Sequence, residues 1–274
     1  MSFVRLKNSE KVASAVWVLE IDGGPASAMV SEQAGGIDTL ARARREIRKG
    51  VGLMVTGGVD SALCPWGWAA HLADGRLSTD PDPARAYRPF DARAGGHVVG
   101  EGGALLVLED AAAATARGVG GYAVVAGCAA TFDGEPGQER LKEAAELALA
   151  DARVRPDQVD VVFADGAGER AADRAEAQAL AALFGPRGVP VTAPKSMTGR
   201  LGAGGSSLDL AAAALALRDK VVPPTTGTRR LAADCPLDLV RGAARELPGL
   251  RTVLVLARGR GGFNSAAVLR AADA

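Results

Sequence analysis

Thiols and imidazoles, the side chains that most often act as nucleophiles and bases, are few and scattered in this chain. The cysteines are Cys64, Cys128 and Cys235, and the histidines are His71 and His97. No Cys-x-x-Cys pair is present and the histidines are far apart, so neither a disulfide framework nor a zinc site is predicted. There is no Gly-x-Ser-x-Gly elbow, and two histidines leave few candidates for a Ser-His-Asp triad. These residue types alone therefore define no catalytic centre.

Charge and glycine patterning exclude several further classes. The chain has 32 Lys and Arg against 32 Asp and Glu. It therefore lacks the excess positive charge that would attract nucleic acid or an anionic membrane. No apolar run reaches the ~18 residues of a membrane span. The glycines at 199–205 only imitate a phosphate-binding loop, because no Walker A sequence is present. A soluble, cytoplasmic protein that binds neither nucleic acid nor membrane is predicted.

Predicted strands and helices alternate along most of the sequence. Strands are predicted at 15–21, 53–56, 104–108, 122–126, 159–163, 189–192, 252–256 and 266–269. Helices are predicted at 37–47, 111–117, 140–152, 173–184 and 208–217, and residues 60–100 are rich in predicted loops. This alternation indicates an α/β fold with a mostly parallel, covered sheet.

Seven segments carry a resemblance to a known family. Residues 88–91 (RPFD) are followed after eight residues by Gly-Glu-Gly-Gly at 100–103 and by LLVLE at 105–109. In the same order come residues 163–169 (FADGAGE), 194–202 (PKSMTGRLG) and 259–265 (GRGGFNS). Together with the turn at 57–62, they resemble the ketosynthases of the thiolase superfamily. The resemblance implies a thiolase-like α/β fold made of two repeats with mostly parallel sheets.

The resemblance also predicts a domain organisation. Residues 1–23 do not match it, residues 24–117 resemble the end of the N-terminal ketosynthase half, and residues 118–274 resemble the C-terminal half. In the family a long upstream half precedes the first helix of the matching region, so the first repeat is expected to be incomplete and the chain to be truncated. A sheet without its inner strands would expose apolar edges and faces.

The catalytic positions of the family are replaced in this chain. The resemblance places a nucleophilic cysteine where this sequence has Gln33, and an amide cannot accept an acyl group. It places two histidines where this sequence has Asp165 and Arg200, while Lys195 and Asn264 are retained. A carboxylate and a guanidinium placed together would pair in a partly buried pocket, although each could instead turn to solvent.

Four segments point to one subfamily. Residues 30–36 (VSEQAGG), 59–68 (VDSALCPWGW), 162–168 (VFADGAG) and 256–266 (LARGRGGFNSA) resemble the chain length factor of type II polyketide synthases, also called the ketosynthase beta subunit. This implies a non-condensing subunit that pairs with an active ketosynthase alpha subunit, meets acyl carrier protein and shapes the tunnel for the polyketide intermediate. It implies no metal or other cofactor.

The resemblance assigns tunnel residues and leaves alternatives open. Trp66, Gly67, Phe263 and Asn264 are expected to line the substrate tunnel, although Trp66 and its neighbour Trp68 could simply fill the core. Gln33 could orient a malonyl thioester for decarboxylation, because its amide can donate to a developing enolate oxygen. The chain could also be an active condensing enzyme that uses Cys64 as its thiol, or a fragment without function.

Overall fold

The computed structural model describes residues 24–134 and 139–272, so the strand predicted at 15–21 lies outside the described residues. The helices are α1 (Gly35–Arg48), α2 (Pro65–Asp74), α3 (Pro83–Ala86), α4 (Ala111–Ala116), α5 (Leu141–Ala152), α6 (Arg170–Phe184), α7 (Lys195–Thr198) and α8 (Gly205–Asp219). The strands are β1 (Leu53–Ser61), β2 (Glu101–Glu109), β3 (Ala123–Phe132), β4 (Val161–Phe163), β5 (Pro190–Thr192), β6 (Val221–Val222), β7 (Asp238–Leu239), β8 (Arg245–Glu246), β9 (Thr252–Arg258) and β10 (Phe263–Ala271). None of the described helices has the length and apolarity needed to cross a membrane.

A six-stranded sheet forms the centre of the fold. Its strand order is β3-β10-β9-β4-β5-β7. Strands β9, β4, β5 and β7 run parallel, whereas β10 is antiparallel to both β9 and β3. The mostly parallel central sheet predicted from the sequence is therefore confirmed. The inner strands β4 and β9 are continuous apolar runs, because both faces of the sheet are covered there.

Alternating residues of β9 supply the two cores of the molecule. Val253 and Val255 pack on one face, in the core that includes residues of α1 and α8. Leu254 and Leu256 pack on the other face, in the core that includes residues of α5 and α6. This division follows from the two-residue period of a strand, which turns neighbouring side chains to opposite faces.

Two helix–strand–strand units share the same order of elements. In the first, α1 precedes the antiparallel pair β1–β2; in the second, α8 precedes the antiparallel pair β9–β10. The strands β1 and β2 form a separate two-stranded sheet, and on one of its faces Val59, Leu105 and Val107 are exposed.

The starts of α1 and α8 approach each other closely. A Cβ added to Gly36 would lie 2.4 Å from the backbone nitrogen of Ser207. A Cβ added to Gly205 would lie 1.8 Å from Oε1 of Gln33. The backbone N–H of Ile37 donates to Oγ of Ser206 across the same contact, at 3.3 Å. Glycine is therefore required on both sides for the helices to meet at this distance.

Helix α2 corrects the loop predicted over residues 60–100. Pro65 occupies the first turn, where its fixed φ and missing N–H are tolerated, and Gly75 ends the helix at φ +70°. Pro65 and Pro83 thus each mark a helix start, whereas Pro81 and Pro89 lie in loops. No residue of α2 is buried, and the Trp66 side chain is 80% exposed. The alternative that Trp66 and Trp68 fill the core is therefore wrong.

Candidate functional site

Asp165 and Arg200 form the centre of the candidate site. Asp165 lies just beyond the carboxyl end of β4, the edge of a parallel sheet where ligands commonly bind, and Arg200 lies between α7 and α8. Nη1 and Nη2 of Arg200 donate to the two carboxylate oxygens of Asp165, each at 3.2 Å. Both residues are buried. The predicted salt bridge is confirmed, in the bidentate geometry that suits guanidinium and carboxylate.

The pair stays charged despite its burial. Burial by itself would raise the pKa of Asp165, but the charges of Arg200, Lys195 and Arg258 hold that pKa well below its usual value. Burial would lower the pKa of Arg200, but Asp165, Tyr87 and Glu32 hold it well above its usual value. Neither group therefore changes its protonation state near neutral pH.

Two further charged residues extend the pair into a buried network. Arg258 ends β9; its Nε is 3.6 Å from Oδ2 of Asp165, and its Nη2 is 3.6 Å from Oε2 of Glu176. Glu176, on α6, also accepts the backbone N–H groups of Asp165 at 2.7 Å and Gly166 at 2.9 Å. No motif in the sequence points to either residue. In the sequence, Glu176 is one of several acidic residues on a predicted helix, and no pattern indicates that it is buried.

Asp173 fixes a strained turn beside this network. Its carboxylate accepts the backbone N–H groups of Phe90 at 2.7 Å and Gly168 at 3.0 Å. Phe90 has φ +61°, in the left-handed region that non-glycine residues seldom adopt. Burial raises the pKa of Asp173 to about 7. Hydrogen bonds to the Asp173 carboxylate thus link residues 88–91 to residues 163–169.

Lys195 forms a second buried ion pair. Its Nζ lies 2.7 Å from Oδ2 of Asp209 on α8 and donates to the carbonyl oxygen of Ala164 at 2.9 Å. Both side chains of the pair are 4% exposed. The ammonium group is therefore engaged in joining α7, α8 and the end of β4 next to Asp165.

A cavity of about 200 Å³ opens beside the Asp165–Arg200 pair. Arg258, the turn at 259–262 and Phe263 form part of its wall. The Phe263 ring packs edge-on against Phe132, with 5.2 Å between ring centroids. Asn264 is buried behind this wall, where its Nδ2 donates to Oδ1 of Asp133 at 2.7 Å and to the carbonyl oxygen of Gly262 at 3.1 Å. Asn264 therefore stabilises the turn that closes the cavity.

The structure places the other predicted site residues apart from this cavity. Gln33 is 1% exposed, and neither of its amide atoms has a hydrogen-bond partner among the described residues. The residue before it, Glu32, reaches the cavity wall instead, where its Oε2 accepts the backbone N–H of Arg260 at 2.7 Å. Gln33, Trp66 and Gly67 are not among the residues that line the cavity.

The cysteines offer little nucleophilic character. Burial raises the pKa of Cys128 to about 12 and that of Cys235 to about 12. Both therefore remain protonated thiols at neutral pH, and only the thiolate is a strong nucleophile. Cys64 is a half-exposed free thiol directly before α2. No group of three or more potential metal-binding side chains occurs among residues 24–134 and 139–272.

Two family models match most of the sequence. The model of the beta-ketoacyl synthase N-terminal domain matches residues 6–114, and that of the C-terminal domain matches residues 122–229. The chain belongs to the beta-ketoacyl synthase family. The N-terminal match begins inside the segment 1–23, and the C-terminal match begins shortly after residue 118.

Within this family, the chain is similar to a beta-ketoacyl synthase 2 and to a ketoacyl synthase beta subunit of polyketide synthesis. It is 58% identical over 90% of its length to the beta-ketoacyl synthase 2 of the actinorhodin polyketide from Streptomyces coelicolor. It is 55% identical over 90% of its length to the tetracenomycin polyketide synthase ketoacyl synthase beta subunit from Streptomyces glaucescens. The chain spans 61% of the length of each of these relatives.

Solved structures show the same fold. The ishigamide ketosynthase/chain length factor matches with a TM-score of 0.84 and 31% identity, over 90% of this chain and 61% of that chain. A type II acyl carrier protein in complex with its ketosynthase bound to the hexaketide matches with a TM-score of 0.85 and 30% identity, over 91% and 64%. The thiolase-like fold predicted from the sequence is confirmed.

Proposed function

We propose that this chain is a non-condensing ketosynthase subunit that acts beside an active ketosynthase in aromatic polyketide assembly. The observation that carries the proposal is the buried Asp165–Arg200 pair, which occupies the positions where the resemblance places two catalytic imidazoles. Similarity to ketosynthase beta subunits supports the same assignment.

The pair is unsuited to acid–base catalysis of a condensation. A general base must take up and release a proton near the working pH. The pKa of Asp165 is held low and that of Arg200 is held high, so neither exchanges a proton there. The two groups neutralise each other and serve as a structural element in this chain.

Gln33 gives a second reason to expect that this chain does not catalyse condensation. Its carboxamide cannot form a thioester with an acyl group, whatever its surroundings. Its burial keeps the amide out of the cavity beside Asp165 and Arg200. A role for Gln33 in malonyl decarboxylation remains a prediction, and this arrangement adds no support to it.

The proposed partners are an active ketosynthase alpha subunit and an acyl carrier protein that delivers the polyketide intermediate. Solved structures similar to this chain include a ketosynthase/chain length factor and a ketosynthase with its carrier protein. Exposed apolar side chains on α2 also support a partner, because large apolar patches are typical of interfaces. Trp66 and Gly67 on α2 would then contribute to the shared tunnel together with Phe263 and Asn264, with Trp66 in its end wall.

Acyl transfer to the isolated chain tests the absence of condensation. The purified chain is incubated with radiolabelled acyl carrier protein, and protein-bound label is measured after denaturation, with an active ketosynthase as positive control. We expect no bound label on the chain. Label that is lost in a Cys64→Ser variant would instead identify Cys64 as an acyl-accepting thiol and favour an active condensing enzyme.

Coexpression tests the partner role. The chain is produced with an active ketosynthase alpha subunit and carrier protein, and both copurification and polyketide length are measured for the wild type and for Trp66→Gly. We expect a stable complex, and longer products in the variant at normal protein level. Failure of the wild-type chain to copurify would contradict the partner role and favour a fragment without function.

A further inference from the structure

A second cavity, of about 410 Å³, has no role in the proposed function. Residues 225–229, Ser196 and Gly242 form most of its wall. Ser196 follows β5 and Gly242 follows β7, so this cavity lies at the carboxyl edge of the parallel strands, where ligands commonly bind. It shares no lining residue with the cavity beside Asp165, and none of its lining residues is acidic.

The Ser196 hydroxyl can donate a hydrogen bond to a ligand in the second cavity. Its Oγ accepts the backbone N–H of Thr226 at 2.8 Å and the Thr226 hydroxyl at 3.2 Å. A serine hydroxyl has two acceptor lone pairs and one O–H, so these two bonds leave the O–H uncommitted. Within residues 24–134 and 139–272 this O–H has no acceptor, and Ser196 lines the second cavity.

Two guanidinium groups add positive charge at the same wall. Arg229 lines the second cavity and is exposed. Arg241 is exposed beside it, because Nη1 of Arg241 donates to the carbonyl oxygen of Arg229 at 3.2 Å. Neither side chain forms an ion pair in the part of the chain that the structure describes. Their charges are therefore not neutralised by a carboxylate of this chain.

The backbone that carries Arg229 is held in place by other groups. Oδ2 of the buried Asp91 accepts the backbone N–H groups of Arg229 at 2.9 Å and Arg230 at 2.8 Å. Oγ1 of Thr225 accepts the backbone N–H of Ala193 at 2.8 Å. A wall that is already ordered loses little conformational entropy when a ligand binds.

Guanidinium and hydroxyl groups are donors that proteins use to bind phosphate. We propose that the second cavity binds the phosphate group of a small phosphate ester. Arg229, Arg241 and the Ser196 hydroxyl donate to the phosphate oxygens, and the exposed Pro83 and Ala84 contact the organic part. The volume is larger than a phosphate ion needs and lies in the range of small-molecule sites. This inference concerns binding alone and does not rest on the proposed function.

The test measures the binding of glycerol 3-phosphate, glycerate, glycerol and inorganic phosphate. Dissociation constants are determined by calorimetry at neutral pH and constant ionic strength for the wild type, Arg229→Gln, Arg241→Gln and Ser196→Ala. The control is Arg187→Gln, which removes the same charge from an exposed arginine. Arg187 precedes β5 and so lies at the opposite edge of the sheet.

The wild type is expected to bind glycerol 3-phosphate at least about ten-fold more tightly than glycerate, because the phosphate carries more negative charge. Glycerol lacks the anion and inorganic phosphate lacks the organic part, so both are expected to bind more weakly. Arg229→Gln is expected to weaken binding of glycerol 3-phosphate at least about ten-fold, and Arg241→Gln and Ser196→Ala at least about three-fold. Arg187→Gln is expected to bind like the wild type.

Several results would overturn the inference. Absence of saturable binding of glycerol 3-phosphate to the wild type, or equal binding of glycerol, would show that the second cavity recognises no phosphate. Equal affinity for inorganic phosphate would show that no ester is selected. An equal loss in Arg187→Gln and Arg229→Gln would assign the effect to net charge alone. If circular dichroism shows that Arg229→Gln is unfolded, an unchanged affinity in Arg241→Gln would contradict the inference instead.

Discussion

The units α1–β1–β2 and α8–β9–β10 share their order of elements and their antiparallel strand pairing, yet they differ in what covers them. Strand β9 lies between β10 and β4, and its residues are almost all buried. Within residues 24–134 and 139–272, strands β1 and β2 pair only with each other, and Leu105 on β2 is 63% exposed. The same local plan therefore gives a core in one unit and a half-open sheet in the other.

The difference shows that neighbours, more than local sequence, decide how much each strand contributes to stability. Strand β2 contains the apolar run LLVLE and would be assigned to a core by composition. Only its inward side, with Leu106 and Leu108, packs against the core of α1 and α8. Burial of apolar area is what stabilises the fold, so equal residues in the two units have unequal effects.

Truncating one leucine in each unit should give the largest contrast. Leu254→Ala in β9 removes a fully buried side chain and is expected to lower the free energy of unfolding by about 2–5 kcal/mol. Leu105→Ala in β2 removes an exposed side chain and is expected to change it by less than about 0.5 kcal/mol. Urea unfolding measures both. Similar losses would mean that the outer face of β2 is covered in solution.

The contact between the two units can be tested at Gly36. Gly36→Ala places a methyl group against the Ser207 backbone and is expected to destabilise the protein by about 1–3 kcal/mol through overpacking. The matched control is Gly52→Ala, which meets nothing within 4 Å. We expect the control to unfold at nearly the wild-type temperature. An unchanged midpoint in Gly36→Ala would show that α1 and α8 can separate at little cost.

A pH-dependent effect is expected from Asp173, on α6. Its pKa is about 7 in the folded protein and about 3.9 in an unfolded chain, so the folded state retains the proton. Its stabilising contribution is complete below about pH 4 and is lost as the pH rises through about 7, with a slope of at most about 1.4 kcal/mol per pH unit. Burial also raises the pKa values of Glu176 and Asp209, which act in the same direction.

Asp173→Asn is expected to flatten this decline, measured by urea unfolding at several pH values between about 4 and 7. Asp157→Asn is the control, because a hydrogen bond from Arg155 lowers the pKa of this surface carboxyl and places its titration below that range. A slope that is the same in the wild type and in Asp173→Asn would show that Asp173 is ionised throughout.

The sequence predicted the features that depend on local pattern. Helices α5 and α8 and strands β9 and β10 were found from apolar periodicity, and the Asp165–Arg200 pair from the matched motifs. The rest depended on tertiary contacts. Nothing local shows that Glu176 is buried under Asp165. The contact of Glu32 with Arg260 depends on a positive φ that no pattern in the sequence indicates.

The close approach of α1 and α8 limits how this chain can vary. At Gly36 one methyl group would collide with the backbone of Ser207, and at Gly205 it would collide with the Gln33 side chain, so substitutions at these two positions require compensating changes on the other side. Gln33 is subject to the same restriction, since its amide oxygen lies against Gly205. A library of variants that randomises the start of α1 should therefore hold Gly36 constant and vary Gln33 together with position 205.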